Sequence, residues 1–117
     1  MDLIYGGIVV LLLLAAVSSL LYFQRKSRIN QLPSNNPQAF LEKGHRQEGK
    51  KLVAVIGGDA VHGNISYNFV DDAARRRSCV DYQFINAGVN GSTAYDVLQR
   101  LNNVISCQPD FIVILVG

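Results

Sequence analysis

The chain has 117 residues, which allows one domain at most. Its 49% hydrophobic content and mean hydropathy of +0.16 are high for a soluble domain. Its net charge of +2 is too local, and its basic residues too poor in interleaved aromatics, for a nucleic-acid binder.

Much of the apolar excess lies at the start. Leu3–Phe23 is apolar apart from Tyr5, Gly6, Gly7, Ser18, Ser19 and Tyr22, and carries no charge. A helix of this length, rising ~1.5 Å per residue, crosses roughly 30 Å, the thickness of a bilayer core. A cleavable signal peptide is the rival reading, with Ala16-Val17-Ser18 as its small-x-small site. Against it, the only charge before the core is Asp2, and apolar residues continue past Ser18. An uncleaved membrane anchor over residues 1–23 is preferred. Arg25, Lys26 and Arg28 follow at once, which favours a single-pass topology with the domain on the cytoplasmic side.

Residues 24–51 are polar and basic and read as a linker, with a short helix over Pro37–Lys43. The cluster Arg25, Lys26, Arg28, Lys43, Arg46, Lys50 and Lys51 suits anionic headgroups or, more simply, a solvated linker with a topology signal. His45 reads as solvated.

From Leu52 the pattern changes. Leu52–Ile56 is a continuous apolar run closed by Gly57-Gly58, as expected of a strand buried on both faces. Ser66 or Asn68 can cap a helix running to Arg77, whose Arg75, Arg76 and Arg77 sit at the end that favours cations. Tyr82–Asn86 is a second strand, and Gly88, Asn90 and Gly91 form a turn. Ser92 or Thr93 caps a second helix with Ala94, Leu98, Leu101 and Ile105 at helical spacing. Phe111–Val116 is a third apolar strand. The two cysteines, Cys79 and Cys107, form no C-x-x-C and read as free thiols.

Strand, helix, strand, helix, strand predicts a parallel sheet with helices on both faces. Residues 52–117 alone would bury only about 60% of their unfolded surface, so they read as the N-terminal part of a larger α/β domain. In such sheets ligands bind beyond the carboxyl ends of the strands, where Gly57–Gly63, Ala87–Ser92 and Gly117 all fall. Nucleotide motifs fit poorly. Gly57, Gly58 and Gly63 have the wrong spacing for G-x-G-x-x-G, Asn86 stands where an acidic ribose partner belongs, and Asn64-Ile65 replaces the lysine and hydroxyl of a P-loop.

Three blocks in order, Leu52–Gly63, Phe84–Leu101 and Pro109–Gly117, resemble the opening blocks of the SGNH/GDSL ester hydrolases. The resemblance implies a flavodoxin-like, three-layer α/β fold of the SGNH type behind one transmembrane helix. It also implies carboxylic-ester hydrolysis through an acyl-serine intermediate, with no metal or organic cofactor. The family's first block is G-D-S followed by a later glycine. Aligned without a gap through His62-Gly63, Asp59 takes the nucleophile position; aligned on Gly58-Asp59, Ala60 takes it. Neither supplies a hydroxyl. Asp59 as a carboxylate nucleophile or metal ligand lacks a partner in the sequence. Asn86-Ala87-Gly88-Val89-Asn90-Gly91 matches the second block, N-x-G-x-x-G, and the resemblance makes the Gly91 N–H an oxyanion-hole donor. A plain tight turn with positive φ would explain Gly88 and Gly91 equally well. The third block's asparagine would fall just past Gly117, and the D-x-x-H block is absent. His62 is in the wrong block to replace it and reads as a turn residue; Ser66 and Ser92 read as helix caps.

The expectation is therefore a membrane-anchored SGNH-like hydrolase unit that is truncated and catalytically impaired, with a small-molecule ester as substrate if active. The alternative is a non-catalytic, membrane-anchored interaction module that binds a partner through the strand-edge pocket or the open third strand. A nucleotide-binding protein is the third option.

Overall fold

The computed structural model describes residues 2–64 and 67–116. The chain divides into two compact units, Met1–Gln31 and Leu32–Gly117. Ser66 and Gly117, both weighed above, lie outside the described residues.

The first unit is one helix, α1 (Asp2–Asn30). Its apolar side chains are exposed all round, and the stretch Asp2–Arg28 is long and apolar enough to cross a membrane. The helix runs on past Phe23 through Arg25, Lys26 and Arg28, so the first part of the expected linker is helical. Straight-chain basic and amide side chains lose little rotamer freedom in a helix, so nothing there stops it.

The second unit contains α2 (Pro37–Lys43), β1 (Lys51–Gly57), α3 (Asp59–His62), α4 (Phe69–Arg75), a 3-10 turn (Arg77–Cys79), β2 (Tyr82–Gly88), α5 (Ala94–Ser106) and β3 (Phe111–Leu115). The strands form one parallel sheet in the order β2-β1-β3. Alternation along β1 feeds two apolar cores. Leu52, Ala54 and Ile56 pack with Ile85, Ala87, Val97, Val104 and Cys107, with Phe40 of α2 and Leu101 alongside. Val53 and Val55 pack with Val61 of α3 and Val70 of α4 on the opposite face. Helices thus cover both faces of β1, as its unbroken apolar run predicts.

Local chemistry fixes the helix ends. Pro37 opens α2, where its missing N–H costs nothing, and the Asn36 side chain accepts from the Ala39 N–H. Asn68 caps α4 by accepting from Asp71. Thr93, rather than Ser92, caps α5 in a reciprocal box with Asp96. The face of α5 that is buried is Val97 and Val104, whereas Leu98 and Ile105 are exposed. Leu101 belongs to both apolar stripes of this helix, and the sheet selects the stripe containing Val97. Arg75 and Arg76 pair with Asp71 and Asp72 one turn earlier, which makes them a solvated helix face. Both cysteines are free; Cys107 is buried, and that burial raises its thiol pKa.

Leu32–Lys50, the rest of the expected linker, is fastened to this unit. Asn35 O accepts from the Asn86 N–H at 2.9 Å. Gln83 of β2 ties down this segment at both ends of its side chain, accepting from Gln47 N–H at 2.8 Å and donating to His45 O at 3.0 Å. Arg46 pairs with Asp110, whose carboxylate also accepts from the Leu52 N–H at 2.8 Å. The short helix expected over Pro37–Lys43 is α2, and the polar side chains around it find partners on the sheet.

Candidate functional site

Register places the strand ends level: Gly57 is opposite Gly88 on one side and Leu115 on the other. The connections that leave β1 and β2 therefore emerge at one rim. A cavity of about 440 Å³ lies there. It is lined by Gly58, Asp59 and Ala60 of the first turn, Gly91 and Ser92 of the second, and Leu115 and Val116 at the end of β3. Both candidate nucleophile positions and the candidate oxyanion donor are thus brought together.

The first turn is a short helix. Gly58 precedes α3, and Gly63 closes it in the left-handed region with its N–H donating to Asp59 O at 3.0 Å. Asp59 and Ala60 stand exposed on this turn, while His62 points into the interior and is buried. His62 ends α3 and is not among the residues that line the cavity.

The second turn runs from Val89 to Ser92, closed by Ser92 N–H donating to Val89 O at 3.2 Å. Gly91 has φ +76 and open space about its Cα, so its backbone angle is what calls for glycine. Gly88 has a different reason. It lacks positive φ, but a Cβ there would collide with the backbone nitrogen of His62. The two glycines of this block thus serve different needs.

Hydrogen bonds lock the two turns together. Gly91 N–H donates to Asp59 Oδ1 at 2.6 Å. Asn90 Nδ2 donates to Asn64 Oδ1 at 2.8 Å, and Val89 N–H to Gly57 O at 3.2 Å. Asn86, fully buried, donates through Nδ2 to Val61 O at 2.8 Å and accepts from the Gly88 N–H at 2.9 Å. It joins α3 to the end of β2 inside the core, where an unsatisfied amide would be costly.

The chemistry available is narrow. The N–H expected to hold an oxyanion is engaged by a carboxylate. Ser92 Oγ, a hydroxyl on the cavity wall, accepts from Arg100 Nη2 at 2.9 Å, and a guanidinium cannot take its proton. Among the described residues no group of three or more His, Cys, Asp or Glu side chains is placed to hold a metal ion.

The sequence reading missed Asn86 as a core tie, Arg100 and the Arg46–Asp110 pair. A signal for Arg100 was present: it falls three residues after Val97 and four before Val104, on the inward face of an amphipathic helix. Set against known protein families, curated proteins and solved structures, the chain has no significant match.

Proposed function

We propose that this chain is a membrane-anchored α/β unit of the SGNH ester-hydrolase type whose rim retains the oxyanion turn but does not itself hydrolyse esters. The anchor is α1, crossing once, with Arg25, Lys26 and Arg28 keeping the α/β unit on the cytoplasmic side. The three sequence blocks support the family reading, together with a parallel sheet whose turns meet at one rim.

One observation carries the reading of inactivity: Gly91 N–H is bound by the Asp59 carboxylate. Acyl transfer needs a hydroxyl or thiol nucleophile, a base to activate it, and donors free to meet the charge that develops on the carbonyl oxygen. At this rim an anion already occupies the donor, and a second negative charge arriving beside it would be repelled. A short-chain nitrophenyl ester offered to the full chain in lipid nanodiscs should turn over at the buffer rate. Asp59→Ala should leave that rate unchanged, because no base is supplied. Robust turnover by the native chain that is lost in Asp59→Ala or Gly91→Val would overturn the proposal.

A second reading, an anchored interaction module, is favoured by β3. Each of its side chains is exposed, although all five are apolar. Such an edge invites strand pairing. Concentration-dependent association in sedimentation that disappears in Val113→Lys would support it, and a monomer at all concentrations would count against it.

A further inference from the structure

Arg100 is the least expected side chain of the α/β unit. It occupies the inward face of α5, between Val97 and Val104, where an apolar side chain is the ordinary occupant. Instead a half-buried guanidinium reaches the carboxyl ends of two strands. Nη2 donates to Gly57 O at 3.2 Å and to Ser92 Oγ at 2.9 Å, and Nη1 donates to Ala87 O at 3.3 Å. None of these acceptors is charged. Asp96, one turn earlier, is taken up by the N–H and hydroxyl of Thr93. The buried Nε has no hydrogen-bond partner among the described residues, and desolvation pulls the guanidinium below its ordinary pKa, partly offset by Asp96.

A cation that is desolvated without a carboxylate partner is costly. What it gains here is geometry. Its acceptors belong to the last residue of β1, the penultimate residue of β2 and the residue after Gly91. A guanidinium is a planar fork that can hold several acceptors in fixed relation, which a point charge on a flexible stem does less well. Through Ser92 it fixes the turn that aims the Gly91 N–H, and through Gly57 it fixes the strand end from which Asp59 departs.

We propose that Arg100 is the positioning residue of the rim: by clamping Gly57, Ala87 and Ser92 it sets the Gly91 N–H against Asp59. The inference rests on reading this rim as the chain's site, but it concerns assembly of the site and is independent of turnover.

The test is the Gly91 amide proton in the full chain in detergent micelles, followed by NMR. Asp59→Asn should move the Gly91 resonance, because the carboxylate that accepts this N–H is exchanged for an amide. In the Arg100→Gln background that movement should fall to less than half, while the amides of Ile56 and Ile85 keep their native shifts. An undiminished movement in Arg100→Gln overturns the proposal. Should that variant lose the dispersed β1 and β2 amides, Ser92→Ala decides. It removes one acceptor and leaves Gly57 and Ala87 clamped, so a reduced movement supports the proposal and a native one sinks it. Ester turnover, if found, would defeat the proposed inactivity without touching this readout.

Discussion

β1 and β3 are alike in apolar character and differ in place. Leu52-Val53-Ala54-Val55-Ile56 and Phe111-Ile112-Val113-Ile114-Leu115 are both unbroken apolar runs, and they pair in parallel, side by side. Yet the β1 run is 0–8% exposed, whereas β3 is 39–53% exposed. Composition does not separate them. β1 sits between two strands and is covered by α5 on one face and by α3 and α4 on the other, while β3 has one neighbour. An apolar run is a strand's capacity to be buried; the layers around it decide whether that capacity is used.

The comparison can be broken most directly at Ile56 and Ile114, which face each other in register. Ile56→Ala should cost about 2–5 kcal/mol because it opens a cavity in a closed core. Ile114→Ala should cost about 1 kcal/mol or less, since its side chain is already half in water. Urea denaturation of the full chain in micelles measures both. Equal losses would mean that β3 is as enclosed as β1.

The next effect tests how closely the two strands approach. A Cβ on Gly57 would lie 2.5 Å from Leu115 O and 2.6 Å from the Val61 side chain. Since Leu115 O is backbone, the upper end of β3 must shift. Gly57→Ala should cost about 1–3 kcal/mol and broaden the NMR resonances of Leu115 and Val116 ahead of those of Phe111.

At the other end, Asp110 ties β3 to β1. The Leu52 N–H, and after it Arg46, hold the Asp110 carboxyl below the ordinary carboxylate range. A depressed pKa contributes stability that is present above the unfolded value of about 4 and is lost as pH falls through the lower folded value. The urea midpoint should therefore fall on acidification below about pH 4, and Asp110→Asn should flatten part of that fall. Asp96, lowered by the Thr93 N–H and then its hydroxyl, supplies another part over the same window. A fall of unchanged size in Asp110→Asn would remove Asp110 from the account.

The smallest effect lies in the connection before β3. Gln108 has φ +53, the left-handed region that ends many helices, and Pro109 follows it. Glycine there relieves the backbone but loses more entropy on folding, so Gln108→Gly should change stability by no more than about 0.5 kcal/mol. A larger loss would show that the Gln108 side chain matters to how β3 starts.

The rim was partly legible in advance. Asp59, Ala60 and Gly91 were picked from block spacing, and all three line one cavity. Arg100 was not picked, because an arginine on a helix is ordinarily a solvated residue, and its three acceptors come from elements 8 to 43 residues away in the chain. The two glycines of the second block were likewise indistinguishable. Only the collision with α3 separates Gly88 from Gly91, whose reason is its own φ.

The sequence by itself determined the long apolar helix, the three strands and the glycine-closed turns, and narrowed each cap to a pair of neighbours, because periodicity and capping are local properties of the chain; the structure chose Asn68 and Thr93. The tertiary structure decided which stripe of α5 is buried, that Leu32–Lys50 is bound to the sheet, that β3 stays exposed and that Asp59 occupies the Gly91 N–H. Those outcomes depend on which elements become neighbours, and neighbours are set by sheet order and register, which no single segment encodes.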